Sequence, residues 1–137
     1  MRGSIVAGLM IAVSVTGAHA EDACASERAR ISRATSQYSA TLDQLRVARR
    51  ELGSFSHLDD EGKLRAVRQY GLLQRDADNH RNRVLVVYEA LVQLGCESFD
   101  KQGYDRAVSA FRRISDEERE VLAEAKRLSG SRVVGAN

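Results

Sequence analysis

Five residues spaced seven apart, Cys24, Ile31, Tyr38, Leu45 and Leu52, constrain the fold more than any other feature of the chain. A period of seven spans two helical turns, so all five fall on one face of an α-helix. A second series alternates steps of three and four: Tyr70, Leu73, Ala77, His80, Val84, Val87, Leu91 and Leu94. Two seams of this kind in succession predict two helices packed lengthwise, as in a coiled coil. The spacing therefore predicts an all-α fold. Its frame is a long antiparallel helical hairpin over 22–52 and 57–95. Two shorter helices, over 100–114 and 116–129, are expected to pack at the end where the cysteines lie.

Composition points the same way. The 137 residues include no Pro and no Trp, and a chain rich in Ala, Leu, Arg and Glu favours helix throughout. Arg outnumbers Lys by 18 to 3, yet the formal net charge is only +2. The arginines are interleaved with acids, the pattern of a solvated helix surface. No basic stripe marks a nucleic-acid interface.

Residues 1–20 read as a secretory signal peptide. Arg2 supplies the positive start, residues 5–15 the apolar run, and Ala18-His19-Ala20 a small-x-small cleavage site. That run is shorter than the roughly 20 residues a membrane span requires, so no stable membrane anchor is expected. Glu21, Asp22 and Ala23 before Cys24 do not fit a lipoprotein site. The reading is cleavage near Ala20, a single helical domain over 21–129, a flexible tail over 130–137, and delivery to a bacterial periplasm or beyond.

Within the hairpin, Gly53 ends the first helix and Ser56 with Asp59 resembles a capping box for the second. Counted from this turn, Cys24 lies 29 residues back and Cys96 40 residues on, about 43 and 60 Å at helical rise. A later start for helix 2 or a bend near Gly71 is needed to bring the two level. Leu85, Tyr88 and Val92 form a further apolar stripe on helix 2, which calls for a second neighbour. Ser115 and Glu118 spell S-x-x-E and predict a new helix start at that point. The tip around Phe55, His57 and Leu58 is expected to be the less covered end.

Cys24 and Cys96 are the only cysteines, and in an exported chain they predict a disulfide. Asp76 and His80 share a helix face, and with the acidic turn 59–61 they are weak candidates for a metal or small-ligand site. Zinc usually takes three or four ligands. A seam histidine bonded to Gln37 or Thr41 is the plainer expectation for His80. Leu94-Gly95, Tyr104, Ala107 and Phe111 resemble the L-G and A-x-x-x-F positions of one tetratricopeptide unit. No second copy follows and the closing Pro is lacking, whereas such units need about three in a row, so no family is assigned from it. No catalytic motif is present and no cofactor is implied. The functional expectation is an exported protein acting by contact with another protein or with itself. Phe55, Leu58 and Val86 are the candidate contact residues, with Val47 also outside the seams.

Overall fold

The computed structural model describes residues 14–130. They form three α-helices: α1 (Ser14–Gly53), α2 (Asp60–Gln93) and α3 (Lys101–Gly130), with a single 3-10 turn, Phe55–His57, between the first two. Among the described residues there is no strand, and no helix is long and apolar enough to cross a membrane. Residues 1–13 of the predicted signal and 131–137 of the predicted tail lie outside the described residues, while 14–20 belong to α1.

The seam of α1 faces inward as the spacing predicts: Cys24, Ala34, Tyr38, Leu45 and Ala48 are buried, with Ile31 and Leu52 packed against the core. On α2, Tyr70, Ala77, Val84, Val87 and Leu91 are buried, while Leu94 is exposed. The cysteines meet, with Cα atoms 5.7 Å apart. The expected length mismatch disappears for two local reasons. First, α2 is capped by Asp59, not Ser56. The Asp59 carboxylate accepts from the Gly62 amide at 2.7 Å, and Asp60 and Glu61 occupy the first turn, where the helix dipole favours acids. Second, α2 ends in a Schellman turn. Gly95 takes a positive φ of 70°, and the Cys96 amide donates back to the Leu91 carbonyl. Cys96 therefore sits level with Leu91, about 46 Å from the start of α2.

The chain after the disulfide corrects the sequence reading. The two short helices expected over 100–114 and 116–129 are one continuous helix of 30 residues. Ser115 and Glu118 do not cap anything; both are buried in mid-helix. The i, i+3 spacing that makes a capping box also puts two residues on one face of an uninterrupted helix. At about 45 Å, α3 reaches back to the hairpin tip. There Ala125 closes over Phe55 and Val67, with Leu52 and Leu122 alongside. The tip is thus covered, and Phe55 is core, not surface.

Asp100 starts α3 by accepting from the Gly103 amide at 2.6 Å. Tyr88 meets Phe99 edge-on, with ring centroids 5.2 Å apart. Two glycines test this packing in opposite directions. A Cβ on Gly71 would sit 3.6 Å from Leu122, an ordinary contact, so Gly71→Ala is expected to add about 1 kcal/mol from helix propensity. A Cβ on Gly103 would fall 2.2 Å from the Tyr88 hydroxyl. Gly103→Ala is expected to cost about 1–3 kcal/mol by overpacking. Tyr88→Phe removes the clashing oxygen but leaves the capping Asp100 carboxylate at 3.0 Å and a ring carbon at 3.4 Å, so the double variant is expected to recover part of the loss. Urea midpoints of the four variants check all three statements.

Candidate functional site

At mid-height, where all three helices meet, the core is ionic. Arg81 of α2 is 1% exposed. Its Nη1 donates to the Tyr38 hydroxyl of α1 and to Glu118 Oε1 of α3, each at 3.1 Å. Its Nη2 donates to Asp78 at 2.8 Å and to the second Glu118 oxygen. Asp78 also accepts from Ser115 Oγ and Gln74 Nε2, both at 2.6 Å. Burial alone pulls the Arg81 pKa down, but hydrogen bonds to Glu118, Asp78 and Tyr38 outweigh it, so the guanidinium stays charged. For Asp78 burial pushes the carboxyl up, but the Ser115 hydroxyl, Arg81 and Arg119 more than offset it and hold it below the ordinary carboxylate value.

That sign fixes the pH response. A carboxyl whose folded pKa lies below its unfolded value near 3.9 adds stability above that value and loses it as pH falls further. The unfolding temperature is expected to fall as the pH drops below about 4. In Asp78→Asn the fall across the same window is expected to be shallower, from a lower starting point. A pH series of thermal melts reads the difference.

Next to this cluster the Tyr70 hydroxyl is buried with no hydrogen-bond partner. Burial and the Glu118 carboxylate push its pKa up, against the pull of Arg49 and Arg81. Tyr70→Phe removes an unpaired buried polar group and is expected to gain about 1 kcal/mol, seen as a higher melting temperature.

The candidate ligand residues are not assembled. Asp76 is exposed, His80 half-buried, and along α2 the acidic turn 59–61 lies about 25 Å from Asp76 and about 30 Å from His80. Among the described residues no group of three or more His, Cys, Asp or Glu is placed to hold a metal ion. His80 does not bond Gln37 or Thr41: Thr41 Oγ1 donates to the Gln37 carbonyl within α1, and His80 Nδ1 is enclosed without a partner.

The surface feature that stands out is a groove between α1 and α2. Its half nearer the turn, about 730 Å³, is lined by Val47, Arg50, Glu51, Ser54, Leu58, Gly62, Arg65, Ala66 and Gln69. The adjoining half, about 620 Å³, adds Gln44, Arg68, Leu72 and Leu73. No residue of α3 lines either half. Helical periodicity explains this: Gly71, Asp78 and Arg81 of α2 turn toward α3, whereas Arg65, Gln69 and Leu72 lie on the opposite side. Val47 is 48% exposed and Leu72 60%.

Of the contact residues expected from sequence, Leu58 and Val47 belong to this groove, Phe55 does not, and Val86 is exposed but about 21 Å beyond Leu72 along α2. Leu72 and the three arginines escaped the sequence reading. Their signal was present in Leu72 falling outside the seam while Arg65, Arg68 and Leu72 repeat at i, i+3 and i+7.

No known protein family, curated protein or solved structure matches this chain.

Proposed function

We propose that this protein is an exported, periplasmic or secreted helical binding protein that acts through its α1/α2 groove and carries no catalysis of its own. The observation that supports this reading is the groove itself: Val47, Leu58, Ala66, Leu72 and Leu73 line one depression among polar side chains, on the side of the hairpin that α3 leaves open. Apolar surface concentrated in a depression marks contact sites more often than scattered apolar residues do. The buried ionic cluster has a different character. Its cations and anions pair with one another, which suits a structural role. Export is supported by the signal-like segment 1–20 and by the disulfide, which persists in oxidising compartments.

A photo-reactive residue at position 72 tests the reading in the native compartment, with position 106 on α3 as control. The expected result is a discrete adduct from 72, none from 106, and loss of the adduct when Val47→Asp is added. Equal labelling from both positions, or none from either, rejects the groove as the working surface.

A further inference from the structure

Resting on that reading, we infer that the groove takes a short acidic amphipathic helix of a partner protein, not a second copy of this chain. Three observations lead there. The first is length. The α1 side of the lining spans residues 44–54, about 15 Å, which matches three helical turns. The second is the floor. Val47 and Leu72 stand exposed near the centre and Leu58 is half-buried at one end, a row suited to apolar anchors at i, i+3 or i+4, and i+7.

The third is charge. Arg50, Arg65 and Arg68 stand on the rim against a single acid, Glu51. Arg65 has a Glu61 partner at 3.3 Å, but both side chains are well exposed, so that pair is weak and easily exchanged. No ion pair among the described residues involves Arg50 or Arg68. A helix with Glu or Asp flanking its apolar stripe would find three guanidinium partners, each able to grip a carboxylate with two parallel bonds.

The same rim argues against self-association. An isologous dimer places each patch against its own copy, so the arginine rims would oppose one another. The strip is also about 15 Å long and one helix wide, well short of the roughly 800 Å² per partner of a stable dimer.

The probes are three 14-residue helical peptides: one with Leu at i, i+3 and i+7 flanked by Glu, one with Lys in place of every Glu, and one with Ser in place of every Leu. Binding to the oxidised full chain is read by fluorescence anisotropy, and position by amide chemical shifts. The Glu peptide is expected to bind at least about tenfold more tightly than the Lys peptide, with shifts confined to residues 44–73. In Arg65→Glu/Arg68→Glu the order reverses, and 0.5 M salt narrows the gap. Equal binding of the Glu and Lys peptides overturns the acidic partner while leaving the groove as a docking surface. Binding of none of the three, or shifts outside the groove, overturns both. Equally tight binding by the Ser peptide removes the apolar anchors. A dimer in sedimentation that Leu72→Asp dissolves replaces the acidic partner with a second copy.

Discussion

Replacing Arg81 with Met is expected to cost about 3–5 kcal/mol, a large part of the roughly 5–15 kcal/mol that holds a small folded protein together. The loss comes less from the bonds Arg81 makes than from what its absence strands. Glu118 is buried and has no other cation within bonding distance among the described residues, so Arg81→Met leaves an uncompensated charge inside the bundle. Asp78 fares better, because Ser115, Gln74 and Arg119 remain. The mirror change is milder. Glu118→Leu leaves Arg81 paired with Asp78 and is expected to cost about 1–3 kcal/mol. The double variant Arg81→Met/Glu118→Leu removes both charges and fills the space with apolar atoms, so it is expected to lie within about 1 kcal/mol of the starting protein or above it. Urea unfolding of the four proteins closes the cycle. If the double variant instead loses the sum of the two single losses, the two charges are not coupled and Glu118 is not stranded by the loss of Arg81.

What the cluster does for the fold follows from its position. A seam of Leu and Val alone allows helices to slide by a turn. Arg81 bonds side chains of α1 and α3 from α2, and a one-turn slip of either neighbour would break those bonds. The Tyr38 ring, with the Arg81 guanidinium 5.5 Å from its centre and Phe111 edge-on at 5.4 Å, is held in the same register. Buried polar residues serve this purpose in coiled coils.

The apolar seams were legible in the sequence because apolar side chains at a period near 3.5 have one low-energy arrangement. The seam of α1 and the Tyr70, Ala77, Val84 and Leu91 row of α2 needed nothing more. The polar core was not legible, because charge ordinarily marks the surface. At the choice between His80 and Arg81, adjacent positions that both continue a three-four pattern, the charge rule favours His80. The structure buries Arg81 because α3 brings Glu118 to it. The same rule hid the continuity of α3. Tyr104, Val108, Phe111, Ser115, Glu118, Leu122 and Ala125 alternate steps of four and three without a break, but the two polar members read as a helix start. The groove was half legible. Val47 stood outside the seams, whereas the arginine rim depends on how α1 and α2 are rotated against each other, which α3 decides by occupying the other side.

Cys24→Ser/Cys96→Ser is expected to lower stability by about 4 kcal/mol, from the loop closure that a sequence separation of 72 imposes on the unfolded chain. Both cysteines are buried beside Val87 and Leu91, so the serines also place two hydroxyls in an apolar pocket and add to the loss. The folded chain responds unevenly. The hairpin tip keeps its own cover from Ala125 and Leu122, whereas the disulfide end has the turn at 94–100, where Gly95 and Ser98 both take positive φ, to hold α3 in place. Hydrogen exchange in the double-serine protein is therefore expected to rise most around residues 24–31 and 87–104 and least around 63–67 and 118–125. The effect is also expected to add to that of Arg81→Met, since Arg81 lies about 15 Å along α2 from Leu91 and distant sites combine within about 0.5 kcal/mol. Uniform acceleration of exchange along all three helices would mean that the disulfide and the ionic cluster act as one unit. The two ends of the bundle would then not be separately secured.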